Sequence, residues 1–119
     1  MDEITRLQAD VLKVLASPVR LEILHLLAAG PLEVSGIALA ISTTQPHASQ
    51  HLAVLRTAGL VEADRHGREI RYALADPDVI VACDVMRGVL ARRLARLATL
   101  ADRAREPQRP QATQVARLS

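Results

Sequence analysis

The sequence feature that most constrains this chain is a stretch that begins near Pro46 and ends at Gly59. A proline suits the first position of a helix, where its missing N–H costs nothing, and a glycine suits the left-handed position just past the end. With a rotation of about 100° per residue, one side of such a helix is apolar and the other carries mostly short polar side chains. The apolar side comprises Ala48, Leu52 and Leu55, and the other side comprises Gln45, Ser49, Gln50, Ala53 and Arg56. The stretch therefore predicts a helix with an anchor face and a hydrogen-bonding face.

The hydrogen-bonding face of this helix differs from an ordinary solvated surface, which usually carries many Lys, Glu and Arg side chains. It offers amides and a hydroxyl on short stems, and Thr43, Thr44 and His47 frame it. Gln can pair bidentately with adenine, and Ser can bond to either base edge in the DNA major groove. The face is therefore suited to reading double-stranded DNA, and taken alone it fits a polar helix without a partner equally well.

Composition limits what the chain can fold into and bind. With 119 residues, it is long enough for one domain with a modest core. Half of the residues are apolar, but the chain has one Tyr and no Phe or Trp, so the core must be aliphatic, which favours packed helices. The scarcity of aromatic side chains also argues against single-stranded nucleic acid, whose bases stack on such groups.

Charge and cysteine content indicate the kind of partner and the compartment. The formal net charge is +2, and residues 79–119 hold eight arginines against three acidic residues, so the basic character is local. One cysteine allows no intrachain disulfide. No secretory signal is visible, and the apolar runs are far shorter than the roughly 20 residues of a membrane span. We therefore expect a cytoplasmic protein with no membrane partner.

The residues before the central helix predict a helix-turn-helix arrangement. A first amphipathic helix is followed by a second helix that begins at Pro18 and stops at Gly30. Residues 32–40 predict a third, short helix, and residues 41–44 form a tight link into the central helix. A short helix, a turn of three or four residues and a second helix form the helix-turn-helix, whose first helix braces the second while the second projects toward DNA.

After Gly59 the pattern changes to that of a β-hairpin. Residues 60–65 and 69–74 alternate in strand fashion, and His66-Gly67 between them signals a turn. The basic side chains assigned to the tip are Arg65, His66, Arg68 and Arg71. A basic hairpin directly after a helix-turn-helix predicts a wing that grips the sugar-phosphate backbone. The alternative is a solvated hairpin whose carboxylates partly neutralise it.

A long last helix carries more apolar surface than a small domain can cover. It is capped by Asp76-Pro77 and runs to about Arg105, and the first helix shows a similar excess of apolar surface. One apolar ridge of the last helix comprises Cys83, Met86, Leu90, Leu94, Leu97 and Ala101, and a second comprises Val81, Val85 and Val89. We therefore expect a homodimer formed through the N- and C-terminal helices. The predicted interface residues are Ile4, Leu7, Val11, Val85, Val89, Leu90, Leu94 and Leu97. Residues 1–105 are predicted to form the DNA-binding and dimerisation domain, and residues 106–119 a disordered tail.

Three segments of the chain carry a family pattern: LASPVRLEIL at 15–24, QPHASQHLAVLRTAGLV at 45–61 and GREIRYAL at 67–74. Together they resemble the ArsR/SmtB family of dimeric winged-helix repressors over residues 12–90. The resemblance implies a mainly α-helical winged helix-turn-helix with a small β-hairpin, and a bacterial transcriptional regulator that binds operator DNA as a homodimer. The residues predicted to contact double-stranded operator DNA are Thr43, Thr44, Gln45, His47, Ser49, Gln50, Arg56, Arg65, His66, Arg68 and Arg71.

The same resemblance implies control by a metal ion or another inducer, with nickel or zinc as candidate ions. The family's common metal sites do not carry over, because residues 32–37 contain no cysteine and residues 77–105 contain no histidine. Other candidate ligands are His47 and His51, four residues apart on one helix, and Cys83 together with groups of a partner chain. The alternative interpretations are that His51 packs or bonds to backbone and that Cys83 is a small buried hydrophobe.

Two other functions fit parts of the sequence. The polar helix and the hairpin also suit a winged-helix module that binds an acidic protein, and oxidation of Cys83 would make a thiol-redox-controlled repressor. No motif predicts an enzyme. The chain shows no glycine-rich phosphate loop, no cysteine pair and no carboxylate pair with an evident pocket, and Ser49 near His51 has no orienting acid.

Overall fold

Five helices and three strands make up the described part of the chain, residues 1–107, in a computed structural model. They are α1 (Glu3–Leu15), α2 (Pro18–Leu27), β1 (Leu32–Glu33), α3 (Val34–Ala40), α4 (Gln45–Thr57), β2 (Val61–His66), β3 (Glu69–Leu74) and α5 (Asp78–Arg105). Contacts divide the chain into two units, Met1–Cys83 and the part from Asp84 onward. The predicted disordered tail lies outside the described residues except for Glu106 and Pro107, and its disorder stays a prediction.

Capping side chains just before α1 and α4 define where these two helices begin. The carboxylate of Asp2 accepts a hydrogen bond from the Thr5 N–H at 2.7 Å, and this bond lowers the pKa of Asp2. The hydroxyl of Thr44 accepts from the His47 N–H at 3.2 Å. Such caps each stabilise a helix by about 1 kcal/mol. Helix α4 begins one residue earlier than predicted, so Pro46 occupies its second position, where its missing N–H also needs no partner.

The end of α4 confirms the role predicted for Gly59. Its φ is 77°, which is the left-handed region that glycine enters without strain. The Gly59 N–H donates to the Arg56 carbonyl, and the Leu60 N–H donates to the Leu55 carbonyl, each at 2.9 Å. These two bonds form a Schellman motif that satisfies the last carbonyls of the helix. The motif also carries Leu60 into the core beside Leu55.

The sheet contains a strand that the sequence pattern did not predict. The strand order is β1-β3-β2, with both pairs antiparallel. Leu32 and Glu33 pair with Tyr72 and Arg71 of β3. The third helix, predicted from residue 32, therefore begins only at Val34. A strand of two residues is too short to show an alternating pattern, so only its partner on β3 could reveal it.

The predicted hairpin is present, with its turn shifted by one residue. Strand β2 continues to His66, which pairs with Glu69, and the turn consists of Gly67 and Arg68. Gly67 has a φ of 63°, which a turn of this kind requires. The hairpin therefore projects two residues beyond the last paired positions.

A single aliphatic core holds the anchor face of α4 inside the first unit. Ala48, Leu52 and Leu55 are fully buried, as their spacing predicted. The other buried members come from α2, α3, the start of β2, β3 and the first turn of α5: Ile23, Leu24, Leu27, Ile37, Ala38, Leu60, Val61, Tyr72 and Ile80. The orientation of α4 is thus set by burial of one face against its neighbours.

The second unit is the remainder of α5, where every described residue is exposed except the half-buried Gly88. Its large apolar side chains are between 50% and 69% exposed. None of the helices in residues 1–107 combines the length and the apolar composition needed for a membrane span.

The burial of α4 predicts where truncation costs most. Leu52→Ala should lower the free energy of unfolding by about 2–5 kcal/mol, because it leaves a cavity beneath the helix. Val54→Ala, on the same helix but 38% exposed, is the control and should cost less than about 1 kcal/mol. Urea unfolding at one fixed protein concentration measures both. Equal losses would contradict the assigned orientation of α4.

Candidate nucleic-acid interface

The exposed side of α4 carries the predicted base-reading residues. The exposed residues are Gln45, Ser49, Gln50 and Arg56. Ala53 lies between them, and its small side chain does not cover its neighbours. Because the opposite side of the helix is fully buried, these four side chains have a defined direction. The structure therefore brings together amide, hydroxyl and guanidinium groups on one accessible surface, as the helical spacing predicted.

The turn before α4 places two of the predicted DNA-contacting residues in contact with each other. Ser42 adopts a φ of 57°, the left-handed region, and the Thr43 N–H then donates to the Ala38 carbonyl at 2.9 Å. The Thr43 hydroxyl lies 2.7 Å from Nδ1 of His47. Thr43 is half-buried, and His47 is exposed. The two side chains therefore form one hydrogen-bonded pair at the start of α4.

The hydrogen-bond partner of His51 is a side chain and not the backbone, and the ring is half-buried. The Arg20 Nε–H donates to Nδ1 of His51 at 3.2 Å. Burial, and after it the positive charges of His47 and Arg20, hold the pKa of His51 below its usual value. The ring is therefore neutral at pH 7, and because Nδ1 accepts a bond, its hydrogen lies on Nε2.

In the predicted metal pair, His47 and His51, the Nδ1 atoms of both rings already take part in hydrogen bonds. Their ring centroids lie 4.7 Å apart with the planes nearly perpendicular. Nδ1 of His51 is occupied by Arg20, and Nδ1 of His47 is occupied by Thr43. Within residues 1–107 there is no group of three or more His, Cys, Asp or Glu side chains arranged to hold a metal ion. Cys83 is half-buried in α5, and both interpretations of it stay predictions.

The tip of the hairpin carries three of the four basic residues assigned to it. Arg65, His66 and Arg68 are exposed there. Nε2 of His66 lies 3.3 Å from a carboxylate oxygen of Asp64, which forms an ion pair when His66 is protonated. A surface pair of this kind contributes little to stability, so it leaves the tip available for phosphate contacts.

Arg71 does not lie at the tip, contrary to the sequence prediction. It occupies the middle of the central strand β3, opposite Asp64 of β2 and Glu33 of β1, and it is half-buried. Opposite charges across strands stabilise a sheet modestly. Arg71 is the third residue of β3 and so lies away from the turn, and pairing with β1 gives it a second acidic neighbour.

A carboxyl pair that sequence reasoning missed joins the sheet to α3. A hydrogen bond to Glu69, together with the negative charge of Glu69, raises the pKa of Glu33. The pKa of Glu69 is lowered by the same bond and by bonds from the side chain and backbone of Ser35. As the pH falls, Glu33 is thus protonated before Glu69, and Glu69 binds the first turn of α3. No sequence signal indicates this pair, because it depends on the two-residue strand β1.

The predicted interface residues expose apolar surface on each terminal helix. On α1, Ile4 is 71% exposed and Leu7 is 58% exposed, whereas Val11 is half-buried. On α5, the exposed residues are Val85, Val89, Leu90, Leu94 and Leu97. Apolar side chains repeated at helical spacing along one helix form a continuous patch, which marks an interaction surface more often than scattered exposed residues do.

A helix-turn-helix followed by a basic hairpin defines the chain as a winged helix-turn-helix DNA-binding protein. The sequence profile described as "bacterial regulatory protein, arsR family" matches residues 17–63. The HTH-type transcriptional regulator NmtR of Mycobacterium tuberculosis is 47% identical over 76 residues, which cover 64% of this chain and 63% of NmtR. The HTH-type transcriptional regulator Rv0081 of the same organism is 41% identical over 95 residues, which cover 76% of this chain and 80% of Rv0081. The chain belongs to the arsR family of bacterial regulatory proteins.

Solved structures agree with this family and with the predicted fold. The crystal structure of M. tuberculosis Rv0081 superposes with a TM-score of 0.73 at 35% identity, covering 82% of this chain and 99% of that one. The homodimeric winged helix-turn-helix DNA-binding domain of Mb0332 from Mycobacterium bovis, determined by NMR, gives a TM-score of 0.72 at 36% identity, covering 78% and 86%. The prediction of a mainly helical winged helix-turn-helix with a small antiparallel sheet is confirmed.

The lowered pKa of His51 predicts a specific pH dependence of stability. Because an unfolded histidine titrates near pH 6.5, the unfolded chain binds more protons than the folded one below that pH. The contribution to stability is full above about pH 6.5 and is lost as the pH falls below it. His51→Asn keeps an acceptor for Arg20 but cannot be protonated, so its free energy of unfolding should fall less than that of the parent between about pH 6.5 and pH 5. Urea unfolding across this range measures the difference, and parallel curves would contradict it.

Proposed function

We propose that this protein is a transcriptional repressor that binds double-stranded operator DNA as a homodimer and reads its sequence with α4. The observation that carries the proposal is the two-sided character of α4, whose anchor face is fully buried while its amide and hydroxyl groups are exposed. Membership of a family of bacterial regulatory proteins supports it. A DNA-binding regulator of this kind acts in the cytoplasm, where bacterial DNA lies.

Base reading falls to the exposed residues in the first two turns of α4. Gln45 and Gln50 have the amide geometry that pairs with N6 and N7 of adenine, and Ser49 can bond to several base edges. Thr44 lies at the N-terminal end of the helix, where the helix dipole favours a phosphate. Thr43 and His47 lie at the same end and form one hydrogen-bonded pair, whose polar groups can bond to a base edge. Arg56 lies in the last turn and suits a backbone contact.

The hairpin tip supplies contacts that do not depend on base sequence. Arg65 is exposed near the end of β2, Arg68 is exposed in the turn, and His66 lies between them in the sequence. Arginine binds phosphate oxygens through parallel N–H groups, and each neutralised phosphate releases counterions, so such contacts make affinity salt-dependent. The wing therefore contributes affinity, whereas α4 contributes specificity.

A homodimer follows from the exposed apolar ridges on α1 and α5. We infer that each ridge is covered in the dimer by the partner protomer, because both ridges are too apolar to remain in water. A two-fold symmetric protein reads a two-fold symmetric site, so the operator should be an imperfect inverted repeat. Its half-sites should be separated by about 34–36 Å, one helical turn, or by a multiple of it.

The signal that controls DNA binding is a separate inference, which rests on the resemblance to the ArsR/SmtB family. It makes a metal ion such as nickel or zinc the candidate effector. Residues 1–107 of one chain do not supply a set of ligands for such an ion, so a metal site would need groups from both protomers, with Cys83 as the candidate thiolate. Metal titration of the purified dimer, followed by operator affinity with and without the bound ion, tests this. A response to peroxide that Cys83→Ser abolishes would instead favour redox control.

Two substitutions should separate base reading from backbone contact. Gln50→Ala should reduce the preference for operator over unrelated DNA by about 1–3 kcal/mol. Arg68→Ala should weaken binding to both DNAs and reduce the slope of log affinity against log salt by about 0.9 for each lost phosphate contact. Fluorescence anisotropy at several salt concentrations measures both quantities. Equal, sequence-independent losses from the two variants would contradict the proposed roles, and a stable complex with an acidic protein would favour an interaction module.

The proposed dimer surface on α5 can be tested without DNA. Leu94→Glu places a charge on an apolar ridge and should raise the dimer dissociation constant at least tenfold, about 1.4 kcal/mol. Ala91→Glu adds the same charge on the side of α5 that carries neither ridge, so it should leave the dimer intact. Sedimentation velocity over a range of concentrations distinguishes the two variants. A dimer unaffected by Leu94→Glu would exclude this ridge from the interface.

A further inference from the structure

A continuous series of side-chain contacts leads from the end of α1 to the start of α4. The Arg20 Nη1–H donates to the Val14 carbonyl in the last turn of α1 at 2.8 Å. The Nε–H of the same guanidinium donates to Nδ1 of His51 in α4 at 3.2 Å. Arg20 itself lies in the first turn of α2, where its backbone N–H is bound by the Ser17 hydroxyl. One planar group thus joins three helices.

The series continues along α4 to the turn before it. The ring of His51 meets the ring of His47 edge to face, with centroids 4.7 Å apart and planes at 77°. Nδ1 of His47 lies 2.7 Å from the hydroxyl of Thr43. Arg20, His51 and Thr43 are half-buried, and His47 is the exposed member of the series. The last two members are residues that the proposed function places at the DNA.

The chemistry of Arg20 makes this linkage directional. A guanidinium is planar and holds its N–H groups in a fixed fork, so two bonds made at once define the orientation of whatever accepts them. His51 can accept only while it is neutral, and its burial, together with the charge of Arg20, lowers its pKa and favours that form. The ring of His51 is therefore held at a fixed angle, and the position of its edge restricts the ring of His47.

We propose that Arg20 and His51 are positioning residues for operator recognition, which hold His47 and Thr43 in their DNA-contacting arrangement relative to α1. The inference rests on the proposed role of α4 in base reading. It also gives the exposed helix α1 a physical connection to the DNA-facing end of α4. A change in the position of α1 would be transmitted to His47 through Arg20 and His51, without any change in the core.

A role in positioning differs from a role in holding the fold together. The anchor face of α4 is fully buried and fixes the helix to the first unit, and hydrogen bonds at a half-buried position add only modestly to that stability. Losing the Arg20 bonds should therefore leave the helix in place. It should release the His51 ring and, with it, the orientation of His47.

Four variants separate these roles. Arg20→Met removes both bonds but keeps the length of the side chain. His51→Asn keeps an acceptor at the position of Nδ1 and removes the ring that contacts His47. His47→Ala removes the DNA-facing end of the series. Glu22→Gln, an exposed residue on the same helix as Arg20, is the matched control and should behave as the parent protein.

A double-mutant cycle on the full-length dimer tests the inference. Affinity is measured for an operator fragment and for an unrelated duplex, with thermal unfolding in parallel. Arg20→Met and His47→Ala should each reduce the operator preference by roughly five- to tenfold, the scale of a lost hydrogen bond in each half-site. The double variant should lose no more than His47→Ala alone, because coupled residues are not additive. His51→Asn should reproduce the loss while unfolding at the parent temperature, and the same cycle with His51→Asn applies if Arg20→Met fails to fold.

NMR of the imidazole nitrogens supplies an independent readout. In the parent protein, His51 should carry its hydrogen on Nε2 with Nδ1 unprotonated, and Arg20→Met should change the resonances of both His51 and His47. Additive losses in the cycle, or an unchanged operator preference in Arg20→Met, would overturn the inference. If Gln50→Ala loses preference while the cycle is additive, base reading by α4 stands and only the positioning role fails. If Gln50→Ala also keeps the preference, both fail.

Discussion

The burial of Ala48, Leu52 and Leu55 is the interaction on which the rest of this structure depends. These side chains are fully buried among residues of α2, α3 and the sheet, and together they set the rotation of α4 about its own axis. Because the two faces of a helix are linked by a period of 3.6 residues, fixing the apolar face also fixes which polar groups face outward. The surface that we propose reads DNA is therefore a consequence of aliphatic packing.

Local signals in the sequence predicted most of this arrangement. Proline, glycine and capping residues predicted the ends of the helices, and the periodicity identified both the anchor face of α4 and the hairpin. What the sequence could not show depends on contacts between distant residues. The two-residue strand β1 exists only through its pairing with β3, and the Glu33–Glu69 pair and the second acidic neighbour of Arg71 both depend on it. The Arg20–His51 bond was also missed, because it joins residues that are 31 positions apart in the sequence.

Polar contacts in the first unit connect the parts of the fold that approach DNA. Glu69 ties the strand that carries one side of the wing to the first turn of α3, and Arg20 ties α4 to the last turn of α1. Each link joins elements that the aliphatic core already brings together, and it adds the directional restraint that apolar packing lacks. A repressor needs such restraint, since base-edge contacts tolerate only small errors in position.

The most direct test of the central claim asks whether α4 reads adenine in the major groove. Replacing adenine by 7-deazaadenine removes the N7 acceptor from the groove and leaves base pairing intact. If Gln50 pairs with adenine, substitution at one position in each operator half-site should weaken the parent protein several-fold and should not further weaken Gln50→Ala. If no adenine position behaves in this way, or if both proteins lose the same affinity at every position, Gln50 does not read the operator as proposed.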